Sequence, residues 1–244
     1  MRRMSTYSLE EVTALRVRLD RELHCETVAE SAQTFTDILF KELAQSAVLF
    51  RLFVTVPFAV LGERERSFAS ALALGRGCAH ELNDATSVIC LLGSSGIRAS
   101  WNDRHQSRRH LAIPLVTASF IQTVPMVSRL MSDMGTGLEW VEKQESRIVV
   151  KSFGRMARVL YVEDAATTRT SDGFNVVPER EFVSENGVKT VVGLGGAYLS
   201  GSIVTAIFFT NELVPKRTVE RFMPVINTFK VATMKLVAER RFFE

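Results

Sequence analysis

The sequence predicts an α+β protein, an antiparallel sheet flanked by helices, with long helices at both ends of the chain. Three observations predict it. Two capping boxes open amphipathic runs near the N-terminus. Short apolar runs bounded by Gly, Pro or polar residues follow, without the regular strand–helix alternation of a parallel sheet. The chain then closes on two strand-like segments joined by a Gly/Ser turn, followed by one long amphipathic run.

Ser8-Leu-Glu-Glu11 is the first capping box, and Leu9, Val12, Leu15, Leu19 and Leu23 give its helix an apolar stripe to about Leu23. Thr27-Val-Ala-Glu30 is the second, with Val28, Phe35, Ile38, Leu39 and Leu43 on one face. Ala47 to Val56, ending at Pro57, reads as a buried strand. Glu63 to Leu74 reads as a helix, and Gly75 to Asp84 as a loop. Thr86 to Leu92 is a second strand, after which Gly93-Ser-Ser-Gly96 turns the chain. A third strand spans Leu111 to Val116, and Ala118 to Met134 is helical with Pro125 as a kink or start. Ile148 to Val150 and Arg158 to Val162 are short β-like pieces, and Ala165 to Asn175 is a polar loop. Pro178 to Glu185 forms a short helix stopped by Asn186-Gly187. Gly187 to Gly196 and Ser200 to Thr210 are the closing strands, and a helix runs from Val214 to Phe243. The 244 residues form one domain, 1–244, with an N-terminal helical segment at 1–26 and a C-terminal one at 214–244.

Composition excludes several classes. Hydrophobic residues make up 46% and charged residues 23%, so the chain has material for a core. A net charge of +3, with scattered basic pairs and no basic–aromatic stripe, argues against nucleic acid. The run Ala47–Leu61 holds Arg51 and Pro57 and is too short to span a bilayer. Cys25, Cys78 and Cys90 lack disulfide or zinc spacing, and no apolar leader follows Arg2 and Arg3, so a cytoplasmic, reducing location is expected.

The closing strands resemble the second half of a GAF domain, through Gly187, Val188, Val192, Gly193, Gly201 and Phe208. A second stretch is sharper. Trp101-Asn-Asp-Arg104, Ser107, His110 and Ala112-Ile-Pro-Leu115 resemble a motif in N-terminal sensor regions of bacterial histidine kinases and related signalling proteins. Val88 to Gly93 and Val188 to Gly196 match the segments on either side, so the resemblance covers most of residues 5–235. It implies a GAF-like fold and a signal-input role, but no particular ligand or cofactor. The sequence departs from that pattern after Val162-Glu-Asp-Ala-Ala166. It also stops where an output domain would begin, as expected of a stand-alone adaptor or an excised input domain.

Trp101, Asn102, Asp103, Arg104 and His110 are the candidate ligand-binding residues. Trp101 and Arg104 can stack on a planar group, Arg104 can hold an anion through two N–H groups, and Asn102 offers a donor and an acceptor. The same residues also suit a structural loop, with Asp103 capping a turn or pairing with Arg104 and Trp101 covering the sheet edge. Asp103, His105 and His110 fit no strong metal spacing, and three nearby arginines oppose a cation. His80-Glu81 looks like a phospho-acceptor box but precedes a strand. Cys78 and Cys90 are weak anchors for a chromophore. No serine elbow, metalloprotease or kinase signature is present. The expectation is therefore a non-enzymatic sensor domain that binds a small molecule or partner protein. It would act as a homodimer and relay its state through the terminal helices to a histidine kinase or other output protein. A small enzyme on the same scaffold, or a ligand-free interaction module, is the alternative.

Overall fold

The computed structural model describes residues 1–124, 127–128, 158–169, 173 and 175–243. Its sheet has six strands: β1 (Ala47–Pro57), β2 (Ser87–Gly96), β3 (Ala112–Pro114), β4 (Arg158–Val162), β5 (Val191–Ala197) and β6 (Ile203–Thr210). They run in the order β3-β2-β1-β6-β5-β4, antiparallel throughout. The described helices are α1 (Leu9–Glu22), α2 (Val28–Glu42), α3 (Glu63–Gly75), α4 (Ala118–Gln122), α5 (Arg180–Glu185), α6 (Lys216–Arg221) and α7 (Met223–Ala238). The predicted α+β arrangement is therefore present. The β-like piece at Ile148–Val150 and the helical reading beyond Ser128 lie outside the described residues.

Both capping boxes form. Ser8 accepts the Glu11 N–H, and the Glu11 carboxylate accepts the Ser8 N–H; Thr27 and Glu30 repeat the pattern. Along β1 and β6 alternate side chains enter two separate cores. Phe50, Leu52, Val54, Val204, Ala206 and Phe208 face α2 and α7. On that face Phe50 and Phe208 pack with ring centres 4.6 Å apart, and Phe35 meets Phe229 edge-on at 5.2 Å. Leu49, Phe53, Ile203, Ile207 and Phe209 face the opposite way.

Three expectations need correction. Gly93-Ser-Ser-Gly96 does not turn the chain; it is the end of β2, paired to Leu52, Arg51, Phe50 and Leu49. The glycine serves close packing instead, because a Cβ on Gly93 would lie 2.2 Å from the Ala32 carbonyl oxygen of α2. Gln33 beside it donates to the Ser94 carbonyl (3.0 Å) and accepts the Ser94 N–H (3.1 Å). The third strand is shorter than expected, Ala112–Pro114, where it pairs with Val88–Cys90.

The C-terminal run is also two helices and a tail rather than one helix. Pro224, which has no N–H to give, opens α7 after a break at Phe222. Beyond α7, Arg240 takes a left-handed φ of 57° and reverses the chain. The carbonyls of Arg241 and Phe242 then accept the N–H groups of Val28 and Ala29, at 2.9 and 3.0 Å. Those are first-turn donors of α2 with no partner inside the helix. Phe242 is buried under them.

Candidate functional site

Among the described residues, the sheet face away from α2 and α7 is not fully filled. A cavity of about 540 Å³ lies there, within the range of small-molecule sites. Its floor is the inward-facing residues of β1 and β6, including Phe53, Thr55, Ile203, Thr205, Ile207 and Phe209. The segment from Arg98 to Leu115 builds one wall, and Val177, Glu179 and Phe182 contribute to another. Trp101 meets Phe182 at 5.5 Å and Phe182 meets Phe209 at 5.2 Å, a run of edge-on rings along one side.

Two 3₁₀ turns, Ala99–Trp101 and Arg104–Gln106, hold the first wall in place. Trp101 lies on Gly96, where a Cβ would come within 2.8 Å of the indole. The Ser94 hydroxyl donates to the Trp101 carbonyl at 2.6 Å, and the Asn102 side-chain oxygen accepts the Gly96 N–H at 2.7 Å. Asp103 accepts the His105 N–H at 2.9 Å. Arg104 donates to Glu65 of α3 at 2.5 Å, and its guanidinium lies over the Phe243 ring at 5.4 Å. Burial pushes the Glu65 carboxyl up, but the Arg104 hydrogen bond, a backbone hydrogen bond and the charge of Arg104 together outweigh it and hold the group below the usual carboxylate range.

The five predicted site residues therefore divide. Trp101, Asp103 and His110 line the cavity. Asn102 and Arg104 do not: Asn102 pins the strand end, and Arg104 bolts its turn to α3. The resemblance marked all five, and only the fold separates wall from brace. His110 does not join Asp103 and His105. It sits 4.0 Å from Glu179, whereas His105 lies 3.7 Å from Asp103. Burial first, and then the Arg51 cation, hold the His110 pKa down at about 4, against the opposing pull of Glu179. Cys78 and Cys90 are not among the lining residues, and burial raises the Cys90 thiol well above its usual range.

The residue that sequence reasoning missed is Arg51. It projects from the middle of the central strand β1 into the cavity. Among the described residues its side chain makes no hydrogen bond or ion pair, and its Nε is buried without a partner. The area it keeps exposed opens toward the cavity, yet protein surrounds it closely enough that burial lowers its pKa to about 10, partly offset by Glu179. The signal was present in the sequence. Arg51 is the one charge in the run Ala47–Leu61, and a buried polar group is more informative than the apolar residues around it.

No family model matches the chain, and no curated protein matches its sequence. Among solved structures, the chain is similar to the phycoerythrobilin-bound GAF domain of a cyanobacterial phytochrome, with 12% identity, a TM-score of 0.48 and coverage of 95% of this chain and 97% of that one. It is also similar to a far-red-absorbing dark state with bound biliverdin IXa, with 10% identity, a TM-score of 0.43 and coverage of 93% and 98%. Both likenesses are loose and of low identity, and neither bears on what this chain binds.

Proposed function

We propose that this chain is a non-enzymatic sensor domain that binds a small molecule in the cavity on the open face of the sheet. The cavity carries this reading. It is concave, mostly apolar and of ligand size, with a few polar side chains turned inward. A ligand-free interaction module would have no need of such a space. The enzyme reading receives less support. His110 has a displaced pKa, but the Ser107 hydroxyl beside the same cavity makes no hydrogen bond to it, so no nucleophile–base pair is assembled among the described residues.

The proposed output runs through the sheet to the terminal helices. Arg51 and Phe53 face the cavity, while Phe50 and Leu52, their neighbours in the chain, face α2 and α7. α1 joins the same helical layer, with Arg16 donating to Thr228 of α7 at 3.3 Å. Exposed Leu9 and Val17 on α1, and Val231 and Met234 on α7, are the apolar side chains a homodimer would cover. The receiver in this reading is a histidine kinase or another signalling output protein.

Native mass spectrometry before and after denaturation tests binding and assembly together. A dimer carrying a mass that is lost on denaturation is the expected result. A bare protein whose melting no small-molecule mixture shifts would remove the sensor reading, and a monomer at micromolar concentration would remove the dimer relay.

A further inference from the structure

Two buried side-chain polar atoms without hydrogen-bond partners stand out among the described residues, Arg51 Nε and Ser107 Oγ, and both side chains line the same cavity. Buried donors are normally satisfied, and a cation held half-buried without a partner is costly. The remaining charges around the cavity are accounted for differently. Arg98 pairs with Glu185 at 3.2 Å, and Arg109 with Glu179 at 3.7 Å. Asp103 is turned to the His105 N–H, and Arg108 is exposed to solvent. Burial keeps the His110 imidazole neutral near pH 7, so it adds hydrogen-bonding capacity without charge. Among the described residues one inward arginine is left uncommitted, on a floor of Phe53, Ile203, Ile207 and Phe209.

We propose that the cavity takes an amphipathic monoanion, an apolar body bearing one oxyanion head, and that Arg51 grips the head with the Ser107 hydroxyl assisting. This rests on the reading of the cavity as a ligand site. The guanidinium fork suits a carboxylate, sulfonate or phosphodiester, since each presents two oxygens to two N–H groups. The apolar floor gives the body a place to leave water. The single uncommitted cation among the described residues matches one negative charge, and it disfavours a cationic ligand or a wholly uncharged one.

Two fluorescent probes with the same rings test this, anilinonaphthalene sulfonate and the uncharged phenylnaphthylamine, each titrated into the whole chain. Wild type should bind the sulfonate about tenfold or more tighter than the neutral probe, the scale of one charge-assisted hydrogen-bonded contact. Arg51→Met should bring the two to within about twofold of each other by weakening only the sulfonate. Thr205→Phe, which fills the floor, should weaken both probes alike. Should Arg51→Met not fold, Arg51→Gln makes the same comparison. If both probes bind and Thr205→Phe displaces both, but the Arg51 variants leave their ratio unchanged, the anion assignment is overturned and the ligand cavity stands. If neither probe binds, or Thr205→Phe displaces neither, the cavity reading fails and the assignment falls with it.

Discussion

The two faces of the sheet are made by the same strands and have opposite characters. Toward α2 and α7, β1 and β6 present Phe50, Leu52, Val54, Ala206 and Phe208 to a closed apolar core. Toward the other side they present Arg51, Thr55 and Thr205 among apolar neighbours, around open space. A strand side chain points to one face or the other with a period of two, so one residue step separates a closed-core position from a cavity-lining one. Both faces bury apolar side chains, but one of them is closed. The other carries an unsatisfied cation that stability alone does not explain, as expected where function is kept at the expense of stability.

The contrast breaks most strongly at Phe208. Phe208→Ala should cost about 3–5 kcal/mol by chemical denaturation, the usual range for emptying a buried aromatic site. Phe209→Ala, one step along on the cavity side, should cost clearly less because part of its ring borders space already open. Equal losses would mean that the second face is as closely packed as the first.

The two arginines near the site sharpen the comparison. Arg104→Ala leaves the buried Glu65 carboxylate with only the His105 imidazole, 3.3 Å away, and should cost about 3 kcal/mol. It should leave the preference for an anionic probe unchanged, since Arg104 does not line the cavity. If that preference is lost with Arg104, the division between brace and wall is wrong.

A third effect depends on pH. In the unfolded chain His110 takes up a proton near its ordinary pKa of about 6.5, but in the folded protein only near 4. Between these values the unfolded state binds more protons. Stability therefore falls as pH drops through that window and levels off below it, by at most about 3–4 kcal/mol. Denaturation midpoints for His110→Gln should show a shallower acid slope than wild type. An identical slope would place the His110 imidazole in contact with solvent.

The smallest expected effect has the opposite sign. Arg51→Met removes an unpaired, half-buried cation from an apolar floor and should raise unliganded stability by about 1 kcal/mol. Calorimetry of the ligand-free protein measures it. A loss of stability would mean that Arg51 already has its partner within the chain.

Much of the fold was legible from local rules. The capping boxes at Ser8 and Thr27, the stop at Gly187 with its φ of 60°, and the strands β1, β5 and β6 are each specified by a few neighbouring residues. The break before α7 was not read, although Pro224 carries a local signal for it, because the apolar pattern runs on through Phe222 and Met223. Gly93-Ser-Ser-Gly96 was not legible, since its glycines read as a turn until the backbone of α2 is brought against them. The site divides in the same way. The sequence by itself determined that Trp101 to His110 is a special stretch and that a lone charge interrupts β1. Only the tertiary structure decided that Arg104 and Asn102 are braces, that Trp101 and His110 are walls, and that Arg51 meets them across the cavity. The physical reason is distance along the chain. Caps, turns and alternation act over a few residues, whereas burial and charge pairing depend on groups such as Glu65, Glu179 and Phe243 that only folding brings near.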